Sequence, residues 1–307
     1  MYIATVGIPA VRPHGTPVRK ECALHLADNG ETVFHRAQQH AGATELVFTI
    51  AAQGTLSANL KLIVLGNMSM TGTGFAALGA GIWAPRSASS TVLALDGYMI
   101  VDEKLVLGLE GRDFIDRPYN VSDKMGGVTG TFKPYDLFLS LYGAYRITGA
   151  LGAGLKLTSV TSDISPKAKG SAFCGDVWVR YGGSGWSASV EGRNLGGKIN
   201  YGGGDYALPA LAAVCGDWSP LHGLTLAAEA DYLFSGAFMA GAGAEYCFAD
   251  IAYARAGFHY GDASGALPTF ASLGLGARYA GAFLDAGVLL LSQTLGTSFL
   301  VTLGYGF

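Results

Sequence analysis

The chain has 307 residues, of which 50 % are hydrophobic and only 14 % are charged, whereas soluble domains carry about 25 % charged residues. The formal net charge is −3 and the Lys and Arg residues are scattered, which argues against a nucleic-acid binder. Mean hydropathy is +0.32, yet no run of about 18 apolar residues marks a spanning helix. Only helices and closed barrels satisfy their backbone polar groups in lipid, so the composition favours a membrane β-barrel.

Residues 1–43 differ from the rest of the chain. They contain Pro9, Pro13 and Pro17 and four of the six histidines, and they lack any strand period. The uneven histidine spacing does not match a metal site. We therefore predict a periplasmic or plug-like N-terminal segment over residues 1–43, followed by a barrel domain over residues 44–307.

The first residues lack the basic leader and the apolar core of a signal peptide. Because a barrel of this kind must be exported, we expect a leader that lies upstream or has been removed. The predicted location is the outer membrane of a Gram-negative bacterium.

Strand-like alternation begins near Thr44, but the first candidate strands are rich in glycine and alanine and their two faces are poorly separated. The early candidates are residues 44–51, 58–66, 75–84, 91–99 and 104–112. A long polar connection over residues 113–134 follows them.

From Asp136 onward the alternation sharpens, with apolar residues on one face and charges on the other. A charge facing lipid at the membrane midplane costs about 2–4 kcal/mol, so we predict that the charged face lines the lumen. The lumen-facing candidates are Asp176, Arg180, Glu191, Arg193, Glu229, Asp231, Glu245, Arg255, Arg278 and Asp285. Two interpretations stay open: ion pairs that brace the barrel, and a polar path for a solute. The mixed signs favour bracing, because buried charges need partners.

The apolar face of many strands ends in an aromatic residue, as in the interfacial girdles of outer-membrane barrels. These residues are Tyr145, Tyr181, Tyr232, Phe248, Tyr260, Tyr279 and Phe307. Residues 298–307 read as the closing strand. Its Tyr305 and Phe307 are candidates for the terminal signal that the membrane-insertion machinery reads.

Connection lengths support the same fold. When strands are counted back from the C-terminus, most long connections fall on one side of the barrel and most short ones on the other, as outer-membrane barrels require. The long ones are residues 113–134, 161–170, 194–207 and 261–269, and the short ones are residues 147–150, 182–185, 249–250 and 280–281. The predicted fold is an all-β, transmembrane antiparallel barrel of about 14 strands, in a range of roughly 12–16. Counts of about 14 and about 16 fit equally well.

Several segments in order resemble the PorV/PorQ family. They are residues 131–137 (T-F-K-P-Y-D-L), 192–201 (G-R-N-L-G-G-K-I-N-Y), 208–209 (L-P), 251–257 (I-A-Y-A-R-A-G) and 304–307 (G-Y-G-F). The resemblance covers residues 100–307 well. It implies a FadL-like barrel of Bacteroidetes-type outer membranes that belongs to the type IX secretion system. It further implies that extracellular loops bind exported protein cargo or other secretion proteins.

Two other function classes remain: a FadL-like channel for a small or apolar solute, and a barrel with a structural role. No G-x-S-x-G or H-E-x-x-H motif is present, and the four cysteines have no C-x-x-C spacing. The pairs Gly72-x-Gly74 and Gly274-x-Gly276 read as wall glycines rather than phosphate loops. We therefore expect no enzyme activity, no cofactor and no metal. The expected partners are membrane lipid, secretion or cargo proteins, and a small solute, and not nucleic acid.

Overall fold

The computed structural model describes most of the chain from Gly74 onward. The described residues are 74–83, 90–101, 104–122, 127–202, 204–261, 269–290 and 297–306. The predicted N-terminal segment 1–43, the candidate strands 44–51 and 58–66, and Phe307 lie outside them.

The described residues form eighteen β-strands, of which fourteen close into one antiparallel barrel. The barrel strands are β1 (Gly74–Trp83), β2 (Ser90–Ile100), β3 (Leu105–Ile115), β6 (Tyr135–Arg146), β7 (Leu151–Ser165), β8 (Ala168–Gly183), β9 (Trp186–Leu195), β12 (Leu211–Leu221), β13 (Leu224–Leu233), β14 (Phe238–Phe248), β15 (Ala252–Gly261), β16 (Phe270–Tyr279), β17 (Ala282–Leu290) and β18 (Thr297–Gly306). Strand β1 pairs with both β2 and β18, which closes the barrel. The predicted all-β barrel is confirmed, with 14 strands in the described part.

Two of the connections between barrel strands contain a short two-stranded ribbon. Strands β4 (Tyr119–Ser122) and β5 (Val128–Phe132) pair between β3 and β6, and strands β10 (Lys198–Asn200) and β11 (Asp205–Ala207) pair between β9 and β12. Among the described residues, no helix has the length and apolar character needed to cross a membrane.

Alternate side chains point into the barrel and out of it, because the strand period is two. In β6 the outward Leu139 and Leu141 are exposed, whereas Ser140 and Tyr142 point inward and are buried. The same pattern holds for β7, β8 and β13. The result is a barrel with an apolar outside and a partly polar inside, the inverse of a soluble protein.

Exposed aromatic residues mark both ends of this apolar outer surface, as the sequence predicts. Outward and exposed are Tyr145, Tyr181, Trp186, Trp218, Tyr232, Tyr246, Phe248, Tyr260, Tyr279 and Tyr305. An apolar surface of this extent needs apolar surroundings, so we treat the strands as membrane-spanning.

The two ends of the barrel differ in their connections. Tight turns join the strands at one end, which we call the inner end, and residues with positive φ such as Asp250, Ala280 and Gly223 occur in them. The longer connections lie at the opposite end, which we call the outer end. This sorting agrees with the predicted arrangement.

Three predicted long connections contain more strand than the sequence indicated. Residues 161–170 are not a loop, because β7 continues to Ser165 and β8 begins at Ala168. The inward–outward alternation persists there, with Ser162 and Ile164 buried, so pairing continues up to the turn at Pro166. The connections 113–134 and 194–207 hold the β4–β5 and β10–β11 ribbons.

Candidate functional site

An apolar cluster lines the barrel interior near the outer end; we call it the outer apolar layer. Its buried members are Val92, Phe114, Phe138, Val160, Ile164, Ala172, Cys174, Ile199, Tyr201, Leu208, Leu211, Ala213, Leu233, Ala237, Met239, Phe270 and Leu289. The rings of Phe114 and Phe138 meet edge to face at 6.0 Å. Its members lie on strands from β2 to β17, so apolar side chains cover much of the inner wall at the outer mouth.

Beside this layer, Arg193 on β9 lies opposite Leu211 and is the centre of a buried ion-pair cluster. Its guanidinium donates to Glu191 at 2.8 Å and to Glu229 at 3.1 Å. Asp231, on β13, lies 3.5 Å from Nη1. The side chain of Arg193 is 1 % exposed, so this charge depends on its carboxylate partners. The thiol of Cys215 donates to the same Glu229 oxygen at 3.1 Å.

A second cluster lies on the next strands along the wall, since β14 pairs directly with β13. Arg255 on β15 donates to Glu245 on β14 and to Asp285 on β17, both at 2.7 Å. Arg278 on β16 lies 3.6 Å from Asp285. The Arg255–Asp285 pair therefore crosses over strand β16, where the inward residue is Gly276.

A third group joins β3, β7 and β8. Lys156 lies 2.7 Å from Asp176 and 3.9 Å from Glu110, which also binds Arg112. The backbone N–H of Asn194 donates to Asp176 at 2.7 Å. Asn194 has a positive φ of 54° and lies where the β8–β9 register shifts. Asp176 thus binds both an ammonium group and the irregular backbone of β9.

The structure places all ten predicted lumen residues on inward positions. Nine are buried, and Arg278 is 20 % exposed. Arg180 on β8 pairs at 2.8 Å with Asp217, which lies on β12. Asp217 was absent from the predicted set because Pro220 and a register shift between Trp218 and Leu221 obscure the strand period.

Other inward charges were also absent from the predicted set. Glu110, Arg112 and Lys156 follow the same alternation as the residues that were selected, so the period alone could have identified them. His259 is buried and its ring stacks on Phe270 at 4.9 Å. Stacking on an aromatic ring accounts for its position without a catalytic role.

An aromatic cluster lines the lumen near the inner end; we call it the inner aromatic layer. Its members are Ala94, Tyr98, Val106, Tyr142, Ala144, Trp178 and Phe283. The Trp178 ring covers Gly154 and the Tyr142 ring covers Gly108, so closely that a Cβ on either glycine would overlap the ring. The rings therefore lie along the wall. Inward charges lie beside both apolar layers, as where Asp136 is opposite Phe114 and Arg278 is opposite Phe283.

Among the described residues, no group of three or more His, Cys, Asp and Glu side chains is arranged to hold a metal ion. The buried carboxylates described above instead bind guanidinium and ammonium groups. This interior therefore offers apolar surfaces and paired charges, which can bind or exclude a solute.

Gly276→Ala is expected to destabilise the barrel by disrupting the Arg255 cluster. An added Cβ would overlap Asp285 Oδ1 and come within 3.0 Å of Arg255 Nη1, so both side chains must shift from the positions in which they pair across β16. The measurement is urea unfolding of the vesicle-inserted protein. Gly287→Ala on β17 is the matched control, since its Cβ would meet nothing closer than 3.7 Å. Equal midpoints for the two variants would contradict the bridging role of this pair.

Comparison with known proteins identifies the fold. No protein-family model matches the sequence, and no curated protein matches it. Among solved structures, the toluene transporter TbuX of Ralstonia pickettii aligns with a TM-score of 0.55 at 14 % identity, covering 78 % of this chain and 90 % of that one. The toluene transporter TodX of Pseudomonas putida aligns at 0.55 and 11 % identity, covering 76 % and 89 %. The monoaromatic hydrocarbon channel CymD aligns at 0.55 and 11 % identity, covering 78 % and 90 %.

These likenesses show a FadL-like barrel fold for this chain. The three proteins are transporters or channels, and the comparisons give no support to a role in type IX secretion. Membership of the PorV/PorQ family, the Bacteroidetes-type origin and the absence of enzyme activity stay predictions.

Proposed function

We propose that this protein is a channel for a small apolar solute in the outer membrane of a Gram-negative bacterium. The observation that carries the proposal is the outer apolar layer. Phe114, Phe138 and Met239 are buried inside the mouth of the barrel. Apolar side chains that face inward give an apolar solute a favourable site, because binding there removes its surface from water.

The paired charges of the lumen support the same proposal. Arg193 and Arg255 are held by carboxylates at 2.7–3.5 Å, so these guanidinium groups are not lining an open aqueous pore. We infer that the ion pairs brace the barrel. The likeness in fold to a toluene transporter and to a monoaromatic hydrocarbon channel adds to this support.

Phe114→Asp is expected to abolish most of the solute uptake. It places a carboxylate in the outer apolar layer, where an apolar solute would have to displace the water around it. The measurement is uptake of radiolabelled toluene by Gram-negative cells that lack other hydrocarbon channels and express the wild type or the variant. Cells are used because lipopolysaccharide slows apolar solutes that cross phospholipid bilayers freely.

The control is Val128→Asp, which adds the same charge on the exposed β4–β5 ribbon and should leave uptake unchanged. Wild-type cells that take up toluene no faster than cells without the protein would contradict the proposal. The predicted cargo binding would then be tested by deleting residues 119–132 and measuring cargo release at the cell surface.

A further inference from the structure

The β10–β11 ribbon lies inside the barrel mouth rather than above it. Gly170 on β8 points inward, and a Cβ added to it would come within 2.6 Å of the Asn200 carbonyl oxygen and 2.7 Å of Ile199. The ribbon backbone therefore rests directly on the inner face of β8. A side chain at this position would push it away.

A second close contact holds the base of the ribbon. A Cβ on Gly197 would overlap the Phe173 carbonyl oxygen. The N–H of Leu208 donates to the Gly197 carbonyl at 3.1 Å, and the Asn194 side-chain amide donates to the Pro209 carbonyl at 3.2 Å. The ribbon is thus anchored at both of its ends.

The ribbon directs its apolar residues into the outer apolar layer. Ile199 is 1 % exposed, and Tyr201 and Leu208 are buried with it. The tip is tightened by Asn200, which accepts from the Gly202 N–H at 2.7 Å and donates to Asp205 at 2.6 Å. A ribbon held by these contacts, with a buried apolar face, narrows the mouth instead of extending away from it.

We propose that the β10–β11 ribbon is the size filter of the outer mouth, and that Ile199 and Tyr201 decide which solutes enter. This inference rests on the proposed function, since it assigns the specificity of the same path. Small, flat apolar solutes pass beside Ile199 and Tyr201, and bulkier ones are excluded by them.

The native thiol of Cys174 reports on the filter. Cys174 is a free, buried cysteine on the inward face of β8, four residues after Gly170 and so about 13 Å further along the strand. The experiment measures its alkylation by N-ethylmaleimide and by a bulky biotin-maleimide in the refolded full-length protein. Peptide mass spectrometry assigns the label to Cys174.

Two variants should open the filter: Ile199→Ala combined with Tyr201→Ala, and Gly170→Val, which displaces the ribbon from β8. Both should raise the rate of Cys174 alkylation severalfold, and the rate with the bulky reagent should rise most. The controls are Val128→Ala and Gly130→Val on the β4–β5 ribbon, where a Cβ on Gly130 meets nothing within 4 Å. They should behave like the wild type.

Folding is checked by the heat-dependent shift of the barrel band in gels. Where the double variant does not refold, Ile199→Val removes a single methylene and should still raise the rate with the small reagent. Unchanged Cys174 alkylation in folded ribbon variants overturns the filter, even if the wild type takes up toluene. If Cys174 alkylation is faster in the ribbon variants but the wild type takes up no toluene, the filter is supported and the proposed solute is rejected.

Discussion

Arg193→Met is expected to reduce the stability of the inserted barrel by about 3–5 kcal/mol, the usual cost of removing one partner from a buried ion pair. The variant leaves Glu191, Glu229 and Asp231 close together without the guanidinium that all three bind. Methionine keeps much of the side-chain volume, so the effect reports charge rather than a cavity.

Urea unfolding in lipid vesicles, followed by tryptophan fluorescence, measures this loss. Arg117→Met is the control, because Arg117 is exposed beside the β4–β5 ribbon and exposed charges contribute little. If the two variants unfold at the same urea concentration, the Arg193 cluster does not brace the barrel. The bracing role that the proposed function assigns to the lumen charges would then be wrong.

Leu275→Arg is expected to cost about 2–4 kcal/mol, whereas Tyr279→Arg on the same face of β16 should cost about 0–1 kcal/mol. Both side chains point outward, and they are 68 % and 79 % exposed. Leu275 lies in the middle of the strand and Tyr279 at its inner end, about 13 Å apart. The difference in free energy of unfolding between these two variants thus shows that Leu275 lies deeper in the membrane than Tyr279.

The same pair of variants separates a membrane barrel from a water-soluble one. In water, both exposed positions accept arginine at a similarly small cost, because surface substitutions usually change stability by less than about 0.5 kcal/mol. Equal, small effects in vesicles would therefore reject the membrane-spanning assignment of β16. Leu275→Ala serves as a control for the loss of the leucine side chain itself.

The strand period made most of the barrel predictable. Leu155 and Lys156 fall on opposite faces from sequence alone, since successive side chains alternate, and one rule repeated over the strands gives both the lipid face and the lumen face. The positions of the tight turns also followed, because residues such as Ala280 and Gly281 stand between two clear alternations.

The pairing partners inside the lumen were not predictable. Arg193 meets Asp231 across an intervening strand, and that contact depends on the registers of two hairpins. The β10–β11 ribbon could not be predicted from the sequence for a different reason. Its strands are three residues long, too short to display a period, and the surrounding glycines read as a loop.

The Tyr142 ring links three strands. It belongs to β6, lies over Gly108 of β3, and donates its hydroxyl to the Gly97 carbonyl of β2 at 3.4 Å. A slip of β6 by two residues along β3 would press the ring against Val106 or Glu110 instead of a glycine. The stagger accumulated around a closed barrel sets its tilt and radius. A single glycine under one ring therefore helps to set the circumference of the whole cylinder.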